Sequence, residues 1–122
     1  MSHTAHFIAG EWRQGNGPLL YKHSPEDQQI LWHAKSADDA DVKTACDAAR
    51  KAFPRWARLP VDERMAIVAR FATFLAEAKE TLAALIAQET SKPLWETRTE
   101  VQAMIGKAAI SQEAWSDRKS VV

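Results

Sequence analysis

The spacing of apolar residues changes near residue 36, and that change most narrows what the chain can fold into. Val42, Ala45, Cys46, Ala49 and Phe53 recur at intervals of three and four. Val61, Met65, Val68, Phe71, Ala72, Leu75 and Ala78 repeat the pattern, and Leu82, Leu85 and Ile86 extend it. Trp95, Val101, Met104, Ile105 and Ala108 form a last series. These intervals put each series on one face of an α-helix. Before residue 36 the apolar runs are short and separated by turn residues. The expectation is a mostly helical chain with a small N-terminal β-hairpin unit.

Residues 6–12 read as a first strand. The cluster Gln14-Gly15-Asn16-Gly17-Pro18 is a turn, and residues 19–22 are expected to return as the second strand of that hairpin. Ser24-Pro25-Glu26-Asp27 makes another turn before a third run at residues 30–33. Ser36 and Asp39 have the spacing of a capping box, with Asp38, Asp39 and Asp41 favourably placed in a first helical turn. Pro54 is expected to end that helix, with Trp56 in the connection. Pro60, Asp62 and Glu63 open the next helix, Lys79-Glu80 mark a bend, and Pro93 opens the last. That helix is expected to run to about Ala114, with Glu96, Arg98 and Glu100 on its outer face. The organisation is then a β-hairpin unit at 1–35, helices at 36–115 and a polar tail at 116–122, in one domain of 122 residues.

Sixteen Lys and Arg balance sixteen Asp and Glu, which argues against the basic face of a nucleic-acid binder. A lone cysteine, Cys46, excludes a disulfide framework and suits a reducing compartment. No apolar run approaches the ~20 residues of a membrane helix, and residues 1–10 lack the layout of a secretory signal. A cytoplasmic location is expected. Five tryptophans, at 12, 32, 56, 95 and 115, are many for this length. A chain this short covers only ~60–70% of its unfolded surface on folding, so some of these indoles are expected to need a partner surface.

No self-contained chemistry emerges. His3, His6, His23 and His33 have no ligand spacing, so no metal is expected. Cys46 falls on an apolar helix face, where a buried, unreactive thiol is expected. Gly10, Gly15, Gly17 and Gly106 give neither GxGxxG nor a Walker loop, so no cofactor-binding residue is assigned, and Gly106 is expected to permit close packing. The pairs Asp38-Asp39 and Asp62-Glu63 are explained by helix starts, and Arg64, Arg70, Lys79 and Glu80 by a solvated face. No catalytic residue is assigned. Two readings survive, an interaction module or a piece of a larger enzyme.

Particular stretches favour the second. Phe7-Ile8-Ala9-Gly10-Glu11-Trp12, Ser24-Pro25 and Ala48-Ala49-Arg50-Lys51-Ala52-Phe53-Pro54-Arg55-Trp56 resemble the start of the NAD(P)-dependent aldehyde dehydrogenase superfamily, an α/β family. Leu59-Pro60-Val61-Asp62-Glu63-Arg64, Glu89-Thr90-Ser91-Lys92-Pro93-Leu94 and Glu100-Val101 continue the likeness. Residues 53–59 and 103–111 are most similar to the branch that oxidises N-succinylglutamate 5-semialdehyde in bacterial arginine catabolism. The resemblance covers residues 7–111 and is expected to fade beyond Ser111. Most relatives have glycine in place of Ser91.

The resemblance implies NAD-linked oxidation of an aldehyde to a carboxylic acid, by thiolate attack, hydride transfer and thioester hydrolysis. It also implies that the nucleophilic Cys, the general-base Glu, the oxyanion-stabilising Asn and the dinucleotide fold come later than residue 122. None of those roles transfers to a residue here, so the chain alone is expected to be inactive and to bind no NAD. The segment is expected to pack on the cofactor-binding domain, with Met104 lining the substrate tunnel or, equally, packing in the core with Val101 and Ile105. Its partner is the remainder of the dehydrogenase or a dehydrogenase subunit, with self-association through exposed apolar faces. The alternative is a stand-alone helical interaction module that binds such a subunit.

Overall fold

A computed structural model describes residues 5–119. The elements are β1 (His6–Ile8), β2 (Glu11–Arg13), β3 (Leu19–His23), β4 (Ile30–Lys35), α1 (Asp39–Arg58), α2 (Val61–Glu77), α3 (Lys79–Thr90) and α4 (Leu94–Lys119). They fall into two compact units, divided between Arg58 and Leu59, where the sequence suggested one domain.

In the first unit β1 and β2 form their own antiparallel hairpin, with Phe7 opposite Trp12 and Ile8 opposite Glu11. The two connecting residues, Ala9 (φ 55) and Gly10 (φ 86), both lie in the left-handed region. A two-residue turn of this kind matches the right-handed twist of the strands it joins. The chain therefore reverses at Ala9-Gly10, which corrects the expected pairing of residues 6–12 with residues 19–22. Strand β3 pairs instead with β4, Leu19 opposite Lys35 and Lys22 opposite Trp32.

The 14–18 cluster links the hairpins and is fastened to the start of the helical region. Gly17 N–H donates to the Ser36 carbonyl at 2.8 Å, and Ser36 N–H donates to the Pro18 carbonyl at 2.9 Å. The Ser36 hydroxyl donates to the same Pro18 carbonyl at 3.0 Å. A Cβ on Gly15 would stand 2.0 Å from the Ser36 carbonyl oxygen; only glycine allows this approach. Ser36 is thus occupied here and does not cap α1. The capping box forms two residues later, with Asp41 N–H donating to Asp38 Oδ1 at 2.8 Å and Asp38 N–H to Asp41 Oδ2 at 3.1 Å.

Helix α1 continues through Pro54 to Arg58, against the expectation that Pro54 ends it. Proline removes one N–H and crowds the preceding turn, a loss confined here to the last part of the helix. Trp56 is consequently helical. None of the residues of α1 is buried; the buried apolar residues of this unit are Ile8 and Ala34.

In the second unit α2 and α3 meet at Ala78, at the bend the Lys79-Glu80 pair suggests. Ala78 N–H donates to Phe74 O at 3.0 Å and Leu82 N–H to Ala78 O at 2.9 Å. Ser91 ends α3 in the left-handed region, φ 58 and ψ 20, with its N–H on the Ala87 carbonyl. Helix α4, 26 residues long, then runs antiparallel to both. Its Arg98 meets Glu80, its Gln102 meets Lys79, and Gln112 Nε2 donates to the Met65 carbonyl at 3.1 Å. The small core gathers Ala83, Thr97 and Val101, each 0% exposed. Helix α4 extends beyond the expected end near Ala114, so residues 116–119 of the expected polar tail are helical. Residues 120–122 of that tail lie outside the described ones. A Cβ on Gly106 would meet nothing within 4 Å, so this glycine is not a close-packing point.

Candidate functional site

The groups with reactive potential are scattered. Cys46 is exposed on α1, which corrects the expected buried thiol. The stripe it belongs to, with Val42, Ala49, Phe53 and Trp56, is exposed. His6 Nε2 is engaged by the Lys35 carbonyl at 3.1 Å, and Tyr21 sits between the rings of His23 and His33, 6.3 and 5.8 Å away. Among the described residues no three His, Cys, Asp or Glu side chains could hold a metal ion together. His3 lies outside those residues.

The glycines do not fit a dinucleotide. Gly15 and Gly17 are packed against Ser36, Gly10 closes a β-turn and Gly106 is within a helix. Their amides form no shared cradle for phosphate.

Charged side chains read from sequence as a solvated face are exposed, and they also link helices. Arg98 grips Glu80 through Nη2 at 2.8 Å and Nε at 3.0 Å. Lys79 Nζ donates to Gln102 Oε1 at 2.8 Å, and Lys92 is paired with Glu100. Arg98 holds the Glu80 carboxyl below the ordinary carboxylate range, and Glu80 in turn raises Arg98. The hydrogen bond to Glu100 pushes Lys92 up. Each of these groups is well solvated, so they orient α3 and α4 more than they stabilise them.

Apolar surface is the prominent feature. Phe7 and Trp12 face each other across the hairpin, ring centroids 5.3 Å apart and tilted by 56°. Phe7, Ile8 and Ala9 line a groove of about 250 Å³ against Ala45, Ala48, Ala49 and Ala52 of α1. The sequence marks that wall only through its alanine spacing. Trp12, Trp56, Trp95 and Trp115 are all exposed, Trp95 by 70%. Met104 is 42% exposed, one turn beyond the buried Val101.

Comparison with known proteins gives this surface a context. Residues 12–120 match the aldehyde dehydrogenase family, and the chain belongs to that family. The match continues past Ser111, where the resemblance was expected to fade. More particularly, the chain is 58% identical over 118 residues to N-succinylglutamate 5-semialdehyde dehydrogenase of Photorhabdus laumondii, covering 97% of this chain and 24% of that protein. The enzyme of the same name from Serratia proteamaculans is 57% identical over 121 residues, covering 99% of this chain and 25% of it. The chain thus corresponds to the N-terminal part, about a quarter, of these relatives.

Solved structures agree. An NAD-dependent benzaldehyde dehydrogenase from Corynebacterium glutamicum superposes with a TM-score of 0.82 at 31% identity, over 86% of this chain and 23% of that one. An NADP-dependent glyceraldehyde-3-phosphate dehydrogenase from Bacillus halodurans gives 0.78 at 26% identity, over 81% and 21%. No helix among the described residues is long and apolar enough to cross a membrane.

Proposed function

We propose that this chain is the N-terminal segment of an enzyme that oxidises N-succinylglutamate 5-semialdehyde to the corresponding acid with a nicotinamide cofactor, in the cytoplasm, as a step of arginine breakdown. The observation that carries this reading is the 58% identity over nearly the whole chain to an enzyme named for that substrate. The segment's own contribution is structural. It supplies two hairpins, a surface helix and an antiparallel helical unit, and among the described residues no His, Cys, Asp and Glu side chains cluster to hold a metal ion. Covalent aldehyde oxidation needs a thiol, a base and oxyanion donors held together, and an exposed Cys46 in mid-helix has no such company. Met104, half-exposed on α4, is assigned to the wall of the aldehyde entry tunnel.

The test is a chimera joining this chain to the remaining three quarters of the Photorhabdus laumondii enzyme, assayed beside the free chain. The chimera is expected to reduce NAD with N-succinylglutamate 5-semialdehyde, and the free chain is expected to show no reduction with any aldehyde. Replacing Met104 by Trp in the chimera is expected to raise KM with little change in kcat, as obstruction of an entry path does. An inactive chimera, or turnover by the purified free chain, overturns the proposal.

A further inference from the structure

Helix α4 presents different side chains to different neighbours. Thr97 and Val101 are fully buried, Arg98 and Gln102 reach α3, and Gln112 reaches α2. Met104, Lys107 and Ser111 follow one another at three and four residues, so they share a further face, and all three are exposed. Glu100 precedes them on that face and is already paired with Lys92.

Lys107 differs from the cations before it. Lys79 is engaged with Gln102, Lys92 with Glu100 and Arg98 with Glu80. Among the described residues Lys107 has no hydrogen bond or ion pair. One turn to either side on its own helix stand Ala103, Met104, Ile110 and Ser111, none of them a carboxylate. An ammonium left without a counter-charge beside an apolar side chain, with small neighbours at Ala103 and Ser111 keeping it accessible, suits an anion that arrives from outside the segment.

The substrate proposed above has that character. N-succinylglutamate 5-semialdehyde carries its aldehyde at one end and two carboxylates behind it, one on the glutamyl α-carbon and one at the end of the succinyl group. Entering aldehyde first along the wall that holds Met104, it trails both. Lys107 stands about 4.5 Å from Met104 along the helix axis. Arg118, farther along α4, is about 21 Å from Met104 on the same measure, too far to serve a molecule held there. Water leaves an exposed ion pair little value. Where an enclosing enzyme excludes water the same pair is stronger, and it discriminates against an analogue that lacks the charge.

We propose that Lys107 is a specificity residue, its ammonium pairing with a carboxylate of the aldehyde substrate beside Met104. This rests on the function proposed above and adds the group that separates a dicarboxylate aldehyde from an uncharged one.

The test uses the same chimera with Lys107→Met, which keeps the length and loses the charge, and with Lys107→Arg, which keeps the charge. Each is assayed with N-succinylglutamate 5-semialdehyde and with its dimethyl ester, the same aldehyde with both carboxylates masked. Lys107→Met is expected to raise KM for the diacid about ten-fold, the worth of one charge-assisted hydrogen bond. It is expected to leave kcat for the diacid and both constants for the ester unchanged. Lys107→Arg is expected to keep most of the parent's preference for the diacid. An active chimera in which Lys107→Met leaves KM for the diacid unchanged overturns the role of Lys107 and leaves the function standing. Equal losses on diacid and ester, with a shortened thermal half-life, would assign Lys107 to an ion pair within the enzyme and also overturn it. An inactive parent chimera overturns the function and this inference with it.

Discussion

Among the described residues three non-glycines hold positive φ, Ala9 at 55°, Gln28 at 59° and Ser91 at 58°. A side chain in that region crowds the backbone, and the strain is of order 1 kcal/mol. Ser91 is held there because its N–H caps α3 on Ala87, and Ala9 because the β1–β2 turn needs two left-handed residues. Ser91→Gly is therefore expected to stabilise the chain by about 1 kcal/mol, and Ala9→Asn by about 0.5 kcal/mol. Chemical denaturation of the single variants checks both, and unchanged midpoints would contradict the strain. Gly15 is the converse case. Its missing Cβ admits the Ser36 carbonyl, so Gly15→Ala is expected to cost about 2 kcal/mol or more in the same measurement. The need for a left-handed residue at Ser91 was signalled by the glycine that most relatives of the resembled family have there. The demand on Gly15 was not, because it comes from a segment 21 positions away that sequence spacing does not bring near.

At the level of elements, local punctuation located the helices, but neighbours set their ends. The α2–α3 bend and the start of α4 after Pro93 follow from residues within each helix. The cap of α1 does not, because Ser36 is taken by Pro18 and the reciprocal pair Asp38–Asp41 replaces it. Asn16 strengthens that cap, donating from its N–H and its Nδ2 to the Asp41 carboxylate, each at 2.7 Å. The amides of Asn16 and then Asp38 hold the Asp41 carboxyl below its ordinary value of 3.8. Because the folded-state value is the lower one, the stabilisation is present above 3.8 and is lost as pH falls through that value towards the folded one. Unfolding of the first unit is accordingly expected to become easier with acid across that window, and Asp41→Asn to flatten this component. Far-UV circular dichroism at a series of pH values measures it, and an Asp41→Asn profile parallel to the parent's would refute the assignment.

The whole molecule shows more apolar surface than its small core can justify by itself. Phe7, Trp12, Phe53, Phe71, Phe74 and Trp95 are all more than half exposed. On α2 the stripe Ile67, Phe71 and Phe74 lies open, while Gln112 of α4 reaches the Met65 carbonyl. Exposed patches of this kind favour association. The free chain is expected to bind a hydrophobic dye and to sediment as a concentration-dependent mixture of species; a sharp monomer at all concentrations would count against it. The abundance of tryptophan pointed to such a surface from composition alone, though not to which indoles carry it.

Hydrophobic spacing and proline, glycine and aspartate punctuation, which act over a few residues, specified the helices, the bend at Ala78 and the two-part character of the chain. The motifs at residues 7–12, 48–56 and 89–94 specified the family. Pairing each strand with its neighbour, carrying α1 through Pro54 and leaving Cys46 and Met104 at the surface took the assembled fold. Those outcomes depend on which distant backbone or side chain occupies a given space. Spacing along one chain records which residues share a face, and it does not record what the rest of the molecule sets against that face.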